Sequence, residues 1–144
     1  MTVGQGAGES VYISACSCAP SDECQIDDWI ERLVDAGHTV TCFKQFVGYR
    51  AIYDAIAESD VVLGLVISAD GTQWAVELSA AVGHITSLDG ELNYEGATKP
   101  TYVQWVGDGT AFAYFNALIE HGAVQLSADH DTAVSDLLHA LAAR

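Results

Sequence analysis

Two kinds of segment alternate along this chain. Short apolar runs rich in β-branched residues are each followed by a stretch in which apolar residues recur at helical spacing. The most apolar run, VVLGLVIS at residues 61–68, is typical of a parallel strand that is buried on both faces. The pattern predicts strands at residues 11–15, 38–43, 61–68, 101–106 and 123–127, helices at 22–36, 50–59, 73–83, 111–120 and 132–143, and a polar loop at 86–99.

Five alternations of strand and helix predict an α/β domain. Right-handed crossovers join successive strands into a five-stranded parallel sheet with helices on both faces. Sheets of this kind most often take the flavodoxin-like strand order 2-1-3-4-5, and their ligands bind beyond the strand C-terminal ends near strands 1 and 3. The 144 residues suit one such domain, at 10–144, after a flexible Gly-rich tail at 1–9.

The charge balance excludes two classes of partner. The chain has 20 Asp and Glu against 5 Lys and Arg, for a formal net charge of −15. Such a surface repels phosphate backbones and anionic lipids, so we expect neither general nucleic-acid binding nor membrane docking. No apolar run approaches the roughly 18 residues of a membrane span, and the N-terminus lacks the features of a signal peptide. We therefore expect a cytoplasmic protein.

Cysteine usage fits the same compartment. Cytoplasmic cysteines are expected to be reduced thiols. The first three of the four cysteines have the spacing C-x-C-x5-C, which matches no common zinc signature. We expect buried thiols and no metal, with a four-thiolate zinc site or a redox role as the alternative. The four residues are Cys16, Cys18, Cys24 and Cys42.

A helix that begins at the predicted site edge carries the first candidate for chemistry. Asp70, Gly71 and Thr72 form a turn with a built-in helix cap, and Glu77 lies in the second turn of the helix that follows. Unpaired N–H groups and the helix dipole keep a carboxylate there ionised, which suits a nucleophile or a stabiliser of a sugar cation. Asp70 supplies a second acid for a substrate hydroxyl or base. The alternative is a surface helix with ordinary acids in its first turns.

The loop KQFVGYR at residues 44–50 carries the second candidate. It holds two of the chain's five basic side chains, Lys44 and Arg50, with Phe46 and Tyr49 between them. Aromatic faces next to a guanidinium suit a nucleobase and a phosphate or carboxylate. The alternative is that the two bases offset local acids while the aromatic rings pack in the core.

Residues 11–83 resemble, as a pattern, the nucleoside 2-deoxyribosyltransferase-like family. The resemblance rests on VYISA at strand 1, then WIERLVDAGHTV and IYDAIAESDVVLGLV, and on GTQWAVELSAA after strand 3. The family's motif reads roughly D-x-G-T-x-x-E-x-G-x-A, and its counterparts here are Asp70, Gly71, Thr72 and Glu77. The resemblance implies that Glu77 attacks the anomeric carbon and that Asp70 helps to hold the sugar or base. Tyr12 and the segment after strand 1, with Ser17, would line the pocket.

The same helix is also similar to that of TIR domains, which carry a Trp shortly before a Glu, here Trp74 and Glu77. Enzymatic TIR domains cleave NAD at its nicotinamide glycosidic bond through that Glu, so both resemblances imply one residue and one bond type, an N-glycosidic bond. They imply no cofactor, and they imply a homo-oligomer that binds a nucleoside or nucleotide. Thr72 and Glu77 are five residues apart, against about three in the transferase-like family. This spacing favours the alternative of a non-catalytic nucleotide-binding or self-assembly module.

Overall fold

One mixed sheet with helices on both faces organises the protein. The computed structural model describes residues 2–3, 8–15, 20–43, 48–66, 99–105, 119–120 and 122–144. Within these residues the strands are β1 (Thr2–Val3), β2 (Ser10–Ala15), β3 (Thr39–Cys42), β4 (Val61–Val66), β5 (Thr101–Trp105) and β6 (Val124–Leu126), and the helices are α1 (Pro20–Asp35), α2 (Tyr49–Glu58) and α3 (His130–Ala142).

The strand order confirms the predicted fold. The sheet runs β1-β3-β2-β4-β5-β6, and the five strands β2 to β6 are parallel. Numbered from β2, this is the order 2-1-3-4-5 of a flavodoxin-like α/β fold. The predicted helix at 73–83, the loop at 86–98 and most of the predicted helix at 111–120 lie outside the described residues.

An extra edge strand lies in the segment that the sequence assigns to the tail. Thr2 and Val3 pair antiparallel with Thr41 and Val40, and the backbone N–H of Gly8 donates to the carbonyl of residue 37 at 3.1 Å. A strand of two residues shows no periodicity, so the sequence pattern does not predict it. The flexibility of residues 1–9 as a whole stays a prediction.

The two faces of the sheet are covered by different helices. Side chains alternate along a strand, so Val11 and Ile13 face α1 and α3 while Tyr12, between them, faces the side of α2. The first face holds a continuous core in which Trp29 and Leu137 are fully buried. On the second face α2 contributes the buried residues Ile52, Tyr53 and Ile56. The strand β4 is thus buried on both sides, as the run at 61–68 predicts.

Helix α1 ends at a glycine, as its sequence predicts. Gly37 has a positive φ of 95°, its N–H donates to the carbonyl of Val34, and the N–H of His38 donates to that of Leu33. This pair of bonds is the Schellman arrangement, which requires a left-handed residue that glycine adopts without strain. The turn then delivers the chain into β3 beside β2.

Helix α3 begins at a side-chain cap. Oδ2 of Asp129 accepts hydrogen bonds from the backbone N–H and the hydroxyl of Thr132, at 3.0 and 2.6 Å. These two bonds hold the pKa of the Asp129 carboxyl below its usual value of 3.8. Because the folded state prefers the ionised form, the cap stabilises the fold above that value and is lost as the pH falls through the folded pKa.

Replacement of the cap should therefore have an effect that depends on pH. We expect Asp129→Ala to lower the Tm at neutral pH, and the difference from the unmodified protein to shrink as the pH falls below 3.8. Thermal unfolding followed by circular dichroism between about pH 2 and pH 7 measures this. The control is Asp136→Ala, which replaces an exposed acid on the same helix. A difference that stays constant over the whole range would contradict the assignment.

Candidate functional site

The crevice of this fold lies where β2 and β4 end side by side. Ala15 pairs with Leu65 at the C-terminal ends of the two strands. The chain leaves β2 for β3 on one side and leaves β4 for β5 on the other, so the two connections diverge here. Such a switch point is where open α/β sheets bind ligands. Helices α1 and α2 both begin at this edge, with the positive ends of their dipoles towards it.

Most of the predicted site residues lie outside the part of the chain that the structure describes. They are Ser17, Lys44, Phe46, Asp70, Gly71, Thr72, Trp74 and Glu77. The segment with Ser17 follows Ala15, the last residue of β2. The segment with Asp70 and Glu77 follows Val66, the last residue of the adjacent strand β4. The roles of these eight residues stay predictions.

Tyr12 is a packed residue of the sheet. Its side chain is 1% exposed, and its ring lies 6.2 Å from that of Phe43 in a tilted arrangement. Phe43 follows the last residue of β3, so the two rings lie on the side of α2 close to the end of that strand. Contact between Tyr12 and a substrate stays a prediction.

Three of the four basic side chains that the structure describes contact other parts of the fold. Arg32 lies 3.9 Å from Asp28 and 3.7 Å from Asp131, and Arg144 lies 3.1 Å from Glu9. The ammonium of Lys99 donates to the carbonyl of Ala57 at 2.9 Å. A cation on a carbonyl of the last helical turn opposes the negative end of the dipole, so Lys99 stabilises the end of α2.

Arg50 is placed differently from the other three bases that the structure describes. It is exposed in the first turn of α2 and has no ion pair or hydrogen bond with any residue that the structure describes. Tyr49 is the first residue of the same helix, and the preceding Gly48, with a φ of 99°, provides no side-chain cap. No acid lies in this first turn. The start of α2 is therefore a local positive region on an otherwise acidic chain.

A buried amide, which the sequence reasoning missed, joins α1 to the far half of the sheet. Gln104 in β5 is fully buried. Its Oε1 accepts from Nε2 of Gln25 at 2.8 Å and from Nε1 of Trp29 at 3.1 Å, and its Nε2 donates to the carbonyl of Ser127 at 3.3 Å. We call these four residues the Gln104 network. The signal in the sequence is a lone amide in the strand TYVQW, because a buried amide needs partners.

A histidine–carboxylate pair lies beside this network. Nε2 of His130, the first residue of α3, lies 2.5 Å from Oδ2 of Asp28, and its ring meets that of Trp29 edge-on at 5.4 Å. The pair joins the start of α3 to α1. The partners are 102 residues apart in the chain, so no local spacing announces them.

The described residues hold no group of three or more His, Cys, Asp or Glu side chains that could bind a metal ion. The side chain of Cys42 is buried, whereas Cys16, Cys18 and the side chain of Cys24 lie outside this part of the chain. No helix in the described ranges is long and apolar enough to cross a membrane.

Comparison of the whole chain with models of known protein families and with curated proteins finds no match.

Proposed function

We propose that the protein breaks or transfers the N-glycosidic bond of a nucleoside or nucleotide, with Glu77 as the reacting carboxylate. One observation carries the proposal: β2 and β4 are adjacent and parallel at the switch point. The connection that contains Ser17 and the one that contains Asp70 and Glu77 therefore start from one edge of the sheet. The sequence resemblance supplies the chemistry expected at that edge.

The reaction follows from the chemistry of a carboxylate at a sugar carbon. The Glu77 carboxylate attacks the anomeric carbon, or stabilises the cation that forms there, as the C–N bond breaks and the base leaves with its electron pair. Water or a second base then attacks the anomeric carbon, and the Glu77 carboxylate is released. With water, the oxygen joins the sugar and a proton ends on the free base. Asp70 holds a sugar hydroxyl or the base in place.

Arg50 supports a substrate that carries an anionic group. Three of the five bases are held by structural partners, and Arg50 is exposed at the start of α2 without one among the described residues. The uncapped helix start adds N–H donors and the positive end of a dipole. We assign the phosphate of a nucleotide to this position, with Lys44 beside it and the rings of Phe46 and Tyr49 for the base.

The proposal extends to the setting of the reaction. We also propose that the protein acts in the cytoplasm on a nucleoside or nucleotide, and that it assembles into a homo-oligomer like the families that it resembles. NAD is the rival substrate, since a TIR-like enzyme breaks the same type of bond. The five-residue spacing of Thr72 and Glu77 favours, as a second candidate, a module that binds nucleotides without turnover.

Replacement of Glu77 tests the chemistry. Incubation with nucleosides, nucleoside monophosphates and NAD, followed by chromatography, should reveal free base. We expect Glu77→Gln to reduce base release by about a thousandfold or more, because the amide cannot act as the nucleophile. Glu58→Gln, an exposed acid of α2, is the matched control and should keep full activity. Unchanged turnover in Glu77→Gln would contradict the role. Thermal stabilisation by a nucleotide without any product would support the binding module.

Replacement of Arg50 tests the anionic group. We expect Arg50→Ala to raise the KM for a nucleoside monophosphate about tenfold or more, because a charge-assisted hydrogen bond to phosphate is lost, and to leave the KM for the parent nucleoside unchanged. The Tm should stay the same, since the side chain is exposed. Arg32→Ala, which removes a base with structural partners, is the control. Equal effects of Arg50→Ala on both substrates would refute phosphate contact.

A further inference from the structure

We propose that Gln104 is a positioning residue, which fixes the N-terminal half of α1 at the edge of the sheet where the proposed reaction occurs. The inference rests on the proposed function, because α1 begins at the edge of the sheet where β2 and β4 end. The Gln104 network supports substrate binding through the position of α1, and Gln104 itself does not contact the substrate.

The location of the amide supports this role. Gln104 is the penultimate residue of β5, where it pairs with Leu65 of β4 and Leu126 of β6. Leu65 also pairs with Ala15, the last residue of β2. The amide thus lies in the layer of residues at which the parallel strands end, on the face that α1 covers.

The geometry of the bonds fixes α1 in two ways. Gln25 and Trp29 are four residues apart, so their side chains lie on one face of α1, one turn from each other. Both donate to the same oxygen of Gln104, at 2.8 and 3.1 Å. Two directional bonds to one fixed atom set both the rotation of the helix and its position along its axis.

Apolar packing alone does not supply that constraint. Ile26, Trp29 and Leu33 of α1 are buried against the sheet, but contacts of this kind are non-directional and tolerate small shifts. The fully buried amide also donates to the carbonyl of Ser127, just after β6. The side chain of Gln104 thereby ties α1 to β5 through its oxygen and to the segment that leads into α3 through its nitrogen. Polar groups buried in this way can select one packing arrangement among several.

Substitutions separate positioning from stability. Gln104→Met keeps the length of the side chain and removes all three bonds, while Gln104→Glu keeps an acceptor for Gln25 and Trp29. Gln25→Met removes one bond from a half-buried surface position, where folding is not at risk. Leu141→Ala is the control, because Leu141 is 3% exposed in the same core but lies at the far end of α3.

The experiment compares the KM and kcat of base release with hydrogen exchange of the Trp29 indole N–H, measured by NMR. Gln104→Met should raise the KM about tenfold, lower the kcat by a smaller factor, and speed exchange of the Trp29 indole proton. Gln25→Met should have the same three effects, each of them weaker. Gln104→Glu should recover most of the exchange protection and of the KM. Leu141→Ala should lower the Tm and leave KM unchanged.

The outcomes distinguish this inference from the function on which it rests. Two results would overturn the positioning role alone. One is that Gln104→Met releases base with an unchanged KM. The other is that Leu141→Ala, at a Tm similar to that of Gln104→Met, raises the KM by the same factor as Gln104→Met does. No base release by the unmodified protein would overturn the proposed function, and the positioning role with it.

Discussion

The parallel pairing of β2 with β4 is the constraint on which the other features depend. Five residue pairs, from Val11 with Val61 to Ala15 with Leu65, join the two strands along their length. Both strands are buried, so each face must be covered, and the helices α1 and α2 lie on opposite sides. Because the chain then continues in opposite directions after the two strands, their common end is the switch point at which folds of this type bind ligands. The proposed chemistry requires this edge and no other part of the sheet.

Scarcity of positive charge is the second constraint. With a formal net charge of −15 the chain repels itself, and α1 carries exposed acids at Asp27, Glu31 and Asp35, each four residues from the next. Placing Arg32 and Arg144 in ion pairs relieves part of this repulsion between elements that are distant in sequence. Arg50 has no such partner among the described residues, and it lies at the edge of the sheet where a ligand is expected to bind. Its position therefore indicates that it could contact an anionic group of the ligand.

Much of the fold was predictable because its signals are local. The strand at 61–68 is marked by an uninterrupted apolar run, and the end of α1 by Gly37, whose left-handed φ other residues rarely adopt. The two-residue strand β1 has no such signal. The bonds from Gln25 and Trp29 to Gln104 and the pair of His130 with Asp28 form between residues 75 to 102 positions apart, so only the folded chain brings them together.

The candidate site was predictable in a more limited sense. The fold rule identifies the edge and the residues that follow each strand, and Arg50 lies at that edge, exposed. Tyr12, chosen by resemblance, is 1% exposed and packs with Phe43. A strand residue faces one side or the other by alternation, but the depth of its burial depends on helices supplied from elsewhere in the chain. The positions of Asp70 and Glu77 relative to the edge remain predictions from motif spacing.

A crystal structure of the Glu77→Gln variant with a bound nucleoside monophosphate would test most directly whether the reaction occurs at this edge. We expect the sugar to lie beyond Ala15 and Val66, with the residue 77 side chain roughly 3–3.5 Å from the anomeric carbon. We also expect the phosphate to contact Arg50. A ligand bound elsewhere, or a residue 77 side chain directed into solvent while the ligand occupies the crevice, would contradict this expectation.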